Sequence, residues 1–243
     1  MESLPKSQDI SSVAASNLSE KDLIRGLCKK ADWAKLPDEN HRLRSKYQIT
    51  SWFYDILDYP WERQYRKWRP EILKDVNGRV LEAGVGTGHN LRHYSPSVNL
   101  TAIDLSAGML RQAQKRVSVA RCKVDLQEAD ATNLNLFAAE IFDWYISTFM
   151  FCVMPDRLQP LALKEMAQAL KPGGRFRLIE ILYSKNRSLR LRQKILSPFV
   201  EFVYGARFDR KTLNHIHSVK SLKVTRTTYL KADTYLLIEG EKI

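Results

Sequence analysis

A chain of 243 residues with 44% hydrophobic content can bury one sizeable core, and no run in it reaches the roughly 18 to 20 apolar residues that span a bilayer. Cys28, Cys122 and Cys152 are odd in number, far apart and without Cys-x-x-Cys spacing, which excludes a disulfide framework or zinc site and fits a reducing compartment. The net charge of +12 favours an anionic partner (nucleic acid, an anionic membrane surface or a phosphorylated substrate) over an uncharged one, with an ordinary solvated basic surface as the plainer reading.

Residues 1–17 are polar, Ser-rich and without an apolar signal region, so they read as a disordered tail on a cytoplasmic protein. Ser19-Glu20-Lys21-Asp22 has the form of a capping box, and Leu23, Ile24, Leu27, Cys28, Ala31 and Ala34 follow at helical spacing. Lys21, Arg25, Lys29 and Lys30 make this helix basic and amphipathic, either packed on the domain or lying as a lid on a membrane or substrate. Pro37-Asp38-Glu39-Asn40 ends it. Arg44 to Pro70 interleaves tyrosines and tryptophans with arginines and lysines. These rings either pack on the sheet or line a pocket, and base stacking on RNA is a further use. Residues 18–77 together read as a helical, amphipathic lid segment.

From Gly78 onward short apolar runs alternate with helical patterns, which predicts βαβ units and a parallel sheet. Strands are expected near 79–83, 99–103, 123–127, 142–149 and 175–181. The first ends in Glu82-Ala83-Gly84-Val85-Gly86-Thr87-Gly88. Glycines let the backbone turn sharply and bring its N–H groups against a ligand, and a helix is expected to follow with its positive end aimed there. The second strand ends in Asp104, about 20 residues after the glycines, where a carboxylate can hold ribose hydroxyls. His89 and His93, four apart on the expected helix, could pair on a metal, but no further ligand cluster is in view and no metal is expected. Cys152 reads as a buried structural thiol. His215 and His217 read as surface histidines, either of which could accept a proton near pH 7.

Residues 183–211 are less ordinary. Arginines and lysines alternate with Leu189, Leu191, Ile195 and Leu196, and Phe199, Val200, Phe202, Val203 and Tyr204 follow. Such a segment suits a membrane surface, or a domain helix with a solvated face. Lys223 to Leu230 and Thr234 to Glu239 flank Lys231-Ala232-Asp233 and predict a hairpin-like ending.

The spacing Glu82-x-Gly84-x-Gly86-x-Gly88 resembles motif I of the class I S-adenosylmethionine (SAM)-dependent methyltransferases. Asp104-Leu105-Ser106-x-x-Met109-Leu110, Glu128-Ala129-Asp130-Ala131 and Lys171-Pro172-Gly173-Gly174 resemble three further motifs of that family, in the same order. The resemblance implies a Rossmann-like α/β fold with a seven-stranded, mostly parallel sheet, helices on both faces and an antiparallel C-terminal strand pair, residues 78–243 forming the SAM-binding core. It implies that Gly84, Gly86 and Gly88 admit the methionyl part with Glu82 helping to hold that end. Asp104 and Leu105 would take the ribose, Met109 would pack on adenine, and Asp130 and Ala131 would meet the adenine edge.

On the acceptor side, Tyr47-x6-Tyr54-Asp55 resembles the helix that precedes motif I in small-molecule and lipid methyltransferases, making Tyr47 and Tyr54 candidate pocket residues. Ser147-Thr148-Phe149-Met150 stands where enzymes that methylate amino groups of DNA bases carry Asn/Asp-Pro-Pro-Tyr/Phe, which disfavours that chemistry. The layout resembles bacterial phospholipid N-methyltransferases and ubiquinone/menaquinone C-methyltransferases. The leading expectation is methylation of a phosphatidylethanolamine amine by a protein peripheral on the cytosolic membrane face. A quinone-ring C-methyltransferase, an RNA methyltransferase and a non-catalytic SAM-binding subunit remain open. An ammonium must lose a proton before it can attack, and Glu180 or a lid tyrosine is the candidate acceptor.

Overall fold

The computed structural model describes residues 37–243; the capping-box helix and the N-terminal tail expected from the sequence lie outside them. Seven strands form one sheet: β1 (Gly78–Ala83), β2 (Val98–Asp104), β3 (Lys123–Glu128), β4 (Phe142–Thr148), β5 (Leu170–Ile181), β6 (Leu222–Lys231) and β7 (Tyr235–Lys242), in the order β3-β2-β1-β4-β5-β7-β6. β1 pairs in parallel with both β2 and β4, and β7 runs antiparallel between β5 and β6. Strand order therefore reverses at β1/β4, and a crevice opens beyond the carboxyl ends of those strands.

Alternation along each strand builds a core on both faces. Leu81, Tyr145, Phe176 and Leu178 pack on one side, joined by Leu163 and Met166 of the helix Gln159–Ala169. Val80, Leu100, Trp144, Ile146 and Ile179 pack on the other. A strand covered on both faces is apolar at nearly every position, which is why β1 and β4 are so legible in the sequence.

Among the described residues two helices precede the sheet, α1 (Asp38–Thr50) and α2 (Tyr54–Leu73). Pro37 and the acids Asp38 and Glu39 thus open a helix: the proline precedes the first turn, where a missing N–H costs nothing, and the acids suit its positive end. α3 (Ala107–Arg116) follows β2, capped by the Ser106 hydroxyl, which accepts from the Met109 N–H. α4 is Gln159–Ala169, α5 is Arg187–Tyr204 and α6 is Thr212–Ser218.

Three local expectations are corrected. The segment after the glycines forms a single 3-10 turn, Leu91–His93, instead of a helix; Pro96 and the early start of β2 at Val98 leave no room for more. His89 and His93 therefore do not share a helical face. β4 stops at Thr148, because Phe149 turns the chain with φ +63°. β5 starts before the Lys171-Pro172-Gly173-Gly174 turn and absorbs it, with Gly173 at φ +72° and a register shift against β4 between Phe142 and Trp144.

The basic-apolar segment becomes α5, begun by the Asn186 side chain, which accepts from the Leu189 N–H, and ended by Gly205 at φ +71°. Its C-terminal end is fixed to α1 and α2. Tyr47 Oη donates to the Tyr204 carbonyl (2.5 Å), Lys46 Nζ to the Glu201 carbonyl (3.0 Å), and Tyr204 Oη to the Leu57 carbonyl (2.7 Å) beside the mid-helix Pro60. α1, α2 and α5 thereby roof the crevice.

Candidate active site

One cavity runs from the glycine loop to the underside of α2 and α5. At its near end Gly84 and Gly86 form the floor, both with positive φ (75° and 56°). A Cβ on Gly86 would meet no heavy atom within 4 Å, so this backbone lies open to the cavity. Asp104 ends β2 beside it. Its Oδ2 accepts the Gly86 N–H (2.9 Å) and its Oδ1 the Ser106 N–H (2.9 Å), so the loop itself aims the carboxylate. Burial pushes Asp104 up to about 6, against the pull of those two N–H groups. Leu105, Met109, Ala129, Asp130 and Ala131 complete this end.

α1 closes over it. Asn40 Nδ2 donates to Asp130 Oδ2 (2.8 Å), Arg44 Nη2 pairs with Glu128 (2.7 Å), and Gln48 Oε1 accepts the Gly108 N–H (2.9 Å). A bare glycine floor, a buried acid at the end of β2 and a second acid among small apolar residues together fit an adenosyl-methionyl ligand. Gly86 would face its methionyl part, Asp104 its ribose and Asp130 its base. Once bound, such a ligand supplies a sulfonium methyl that needs no further activation.

Two residues expected to touch it stand behind the wall instead. Gly88 is needed for packing, since a Cβ there would come within 3.0 Å of the Ala113 Cα in α3. Glu82 is 1% exposed and accepts from Asn90 Nδ2 (2.7 Å) and Tyr94 Oη (2.9 Å). Burial raises it to about 7. Asn90 Oδ1 in turn accepts from Arg69 Nη1 (2.5 Å), and Arg69 is clasped by Glu62 (2.7 Å), so Glu82 ties the loop to α2.

The far end of the cavity is aromatic. Tyr54, Asp58, Trp61, Tyr65 and Arg69 of α2 all line it, and their spacing of i, i+4, i+7, i+11 and i+15 makes them one helical face. Opposite stand Phe149, Tyr204 and Tyr235. The Tyr65 and Phe149 rings lie 4.4 Å apart, Tyr65 and Tyr235 5.9 Å, Tyr54 and Tyr204 6.3 Å. Asp58 is the acid among them: burial, then the nearby Glu62, push it up to about 6. Asp55, one residue after Tyr54, is different. Burial raises it, but hydrogen bonds from His89, Arg116 and Thr87 outweigh that and hold it well below the usual carboxylate range.

The expected catalytic residues divide. Tyr47 and Tyr54 do line the cavity. Burial raises both phenols further above neutrality, so both stay protonated there, and Tyr47 donates to the Tyr204 carbonyl. Glu180 is absent from the wall. As an even position on β5 it points to the opposite sheet face from Ile179 and Ile181, where Thr212 Oγ1 contacts its Oε2 (3.2 Å) and its Oε1 is buried without a partner. Desolvation pushes it up to about 8. Trp61, Tyr65 and Arg69 belong to the aromatic-basic stretch whose rings were expected to pack on the sheet or line a pocket; Asp58 was not among the expected site residues, although the helical stripe that carries it was there to be read. Cys152 is buried, as expected, with its Sγ 3.0 Å from the Phe149 carbonyl. Among the described residues no group of His, Cys, Asp and Glu is placed to hold a metal.

Comparison with known proteins bears on the family and the fold. Residues 80–174 match the model of a methyltransferase domain family. Over 149 residues the chain is 34% identical to a phosphatidylethanolamine N-methyltransferase of Cereibacter sphaeroides, covering 59% of this chain and 72% of that protein. It is 29% identical over 157 residues to the ubiquinone/menaquinone biosynthesis C-methyltransferase UbiE of Geotalea daltonii, covering 60% and 66%. Among solved structures, a SAM-dependent methyltransferase of Thermotoga maritima, described as a possible histamine N-methyltransferase, superposes with a TM-score of 0.58 at 22% identity, over 81% of this chain and 100% of that one. The geranyl diphosphate C-methyltransferase of Streptomyces coelicolor, solved with S-adenosyl-L-homocysteine, superposes with a TM-score of 0.55 at 14% identity, over 73% and 76%. The fold and the glycine-acid crevice define a Rossmann-like, SAM-binding protein. The chain belongs to the class I SAM-dependent methyltransferases, and SAM is its cofactor.

Proposed function

We propose that this methyltransferase N-methylates the amine headgroup of a phospholipid, phosphatidylethanolamine by preference, while docked on an anionic membrane surface from the cytosolic side. The observation that carries the reading is α5. Val200 and Tyr204 of this helix wall the acceptor end of the cavity, while Leu191, Ile195, Phe199 and Phe202 form an exposed apolar stripe along it, Phe202 at 82% exposure. Arg187, Arg190 and Lys194 run beside that stripe at i, i+3 and i+7. Trp52, in the turn before α2, and Ile56, in its first turn, are exposed apolar residues as well. A continuous exposed apolar stripe of this kind normally marks an interface. Apolar residues flanked by cations suit the headgroup boundary of an anionic leaflet. No helix among the described residues is long and apolar enough to cross a membrane, so contact of this kind would be from the side.

A lipid held there has its tails in the membrane and its headgroup at the cavity mouth, where aromatic faces attract an ammonium. The similarity to a phosphatidylethanolamine N-methyltransferase supports the amine, and the similarity to quinone C-methyltransferases makes a ring carbon the alternative outcome. The experiment gives the protein methyl-labelled SAM with membrane lipid extract, bulk RNA and aqueous metabolites. Label in an amine lipid is expected. Label in a quinone replaces the substrate, and label only in RNA or the aqueous pool sinks the membrane reading.

A further inference from the structure

We propose that Asp58 is the acceptor-binding and proton-accepting residue of this enzyme, its carboxylate holding a cationic amine inside the aromatic chamber formed by α2, Phe149, Tyr204 and Tyr235. The inference deepens the amine reading above and rests on it for the identity of the acceptor.

Three observations converge on Asp58. It lies on the cavity-lining stripe of α2, with Tyr54 one turn before it and Trp61 and Tyr65 one and two turns after. Among the described residues its carboxylate accepts no hydrogen bond, whereas the other acids at this end are engaged: Asp55 by Thr87, His89 and Arg116, and Glu62 by Arg69. The phenols around it are held protonated by burial, so none competes as a base. An unengaged carboxylate in a desolvated aromatic chamber is costly to ionise alone and is relieved by a cation.

The charged and titratable groups that face Asp58 are Glu62 and Asp55 on its own helix, Arg69 further along it, and His89 from the glycine loop. The phenols of Tyr47, Tyr54, Tyr65, Tyr204 and Tyr235 surround it. Of these, the two acids raise Asp58, and His89 and Arg69 lower it. Burial and the two acids outweigh the cations and leave Asp58 pushed up to about 6, ionised at neutral pH and within reach of protonation during turnover.

The step balances simply. One N–H proton passes from the substrate ammonium to an Asp58 oxygen. The nitrogen lone pair forms the new C–N bond to the methyl carbon as the carbon–sulfur bond breaks, its electron pair going to sulfur. The positive charge formerly on sulfur then resides on the methylated nitrogen, and Asp58 returns its proton to water.

The test separates this inference from the lipid assignment by reading binding without turnover. Choline is titrated calorimetrically into protein loaded with S-adenosylhomocysteine, alongside its uncharged isostere 3,3-dimethylbutanol. Wild type is expected to bind choline at least about tenfold more tightly than the isostere, and D58N to lose that preference. D58E, which keeps the charge, should retain part of it. Choline affinity of wild type should rise from pH 5 to 7 and stay flat in D58N. S-adenosylhomocysteine affinity, unchanged in each variant, reports that the fold is intact. If D58N alone were to misfold, loss of choline affinity in wild type between pH 7 and 5 carries the test. No choline binding by wild type, or equal binding by D58N, would overturn the role of Asp58. Choline binding that depends on Asp58 while label enters only a quinone would overturn the lipid-amine function and leave the cation site standing.

Discussion

Replacing Glu180 with Gln separates a structural acid from a catalytic one. The side chain is 1% exposed, one oxygen has no partner, and burial lifts the group from 4.5 to about 8. A carboxyl whose folded value is raised binds a proton more tightly folded than unfolded, so its contribution to stability is fully present below about 4.5. It is lost as pH climbs through about 8. At pH 7.5, three pH units above the unfolded value, the loss amounts to about 4 kcal/mol at roughly 1.4 kcal/mol per unit. Glutamine carries no charge to bury and escapes that loss. Denaturant unfolding of wild type and E180Q from pH 5 to 8.5 should give a difference that grows in favour of E180Q as pH rises. Glu82, Asp104 and Asp58 are also raised, so wild type itself should weaken over the same range. Subtracting the two curves isolates position 180. Because Glu180 lies outside the cavity wall, E180Q should keep methyl transfer within about threefold of wild type, the span that less than 1 kcal/mol allows. A hundredfold loss of kcat with an unchanged stability profile would refute this placement.

Gly86→Ala and Gly88→Ala should each cost the fold about 1–2 kcal/mol for a left-handed backbone, with about 1–3 kcal/mol more for Gly88→Ala, which presses on Ala113, while only Gly86→Ala should weaken SAM binding; calorimetry and unfolding together distinguish the two, and equal effects on SAM would contradict the geometry. Asn40→Asp sets a second acid 2.8 Å from the Asp130 oxygen that Asn40 now contacts, with repulsion of up to about 6 kcal/mol for a partly solvated pair. Amide exchange over residues 38–50 should then accelerate while β1 and β4 stay protected, and unchanged exchange would show that α1 is not latched there. The double substitution of Phe199 and Phe202 by Asp should abolish flotation with anionic vesicles and leave SAM affinity intact; retained flotation would move the membrane contact elsewhere.

The order of elements, the glycine loop, Asp104 and the acid at 130 are local facts of this sequence. A buried parallel strand needs a continuous apolar run, and a backbone that meets a ligand needs glycine, so each leaves a mark within a few residues. The roles of Glu82, Gly88 and Glu180 were not local. Whether a carboxylate at a strand end faces the crevice or the packed side depends on which sheet face each strand position occupies and which helix lies over it. Glu180 and Ile181 are adjacent, yet only Ile181 lines the cavity. The stripe of Tyr54, Asp58, Trp61, Tyr65 and Arg69 had its period written in the sequence, but period alone cannot say what a face is turned toward. The sequence by itself determined a buried parallel sheet with a glycine loop and acids at its crevice, because those constraints act between neighbours along the chain, and it was the resemblance of these motifs to one family that implied SAM. Only the tertiary structure decided that a carboxylate at 58 ends up inside an aromatic chamber, because that chamber is assembled from α2, the turn at Phe149, α5 and β7, which meet only after folding.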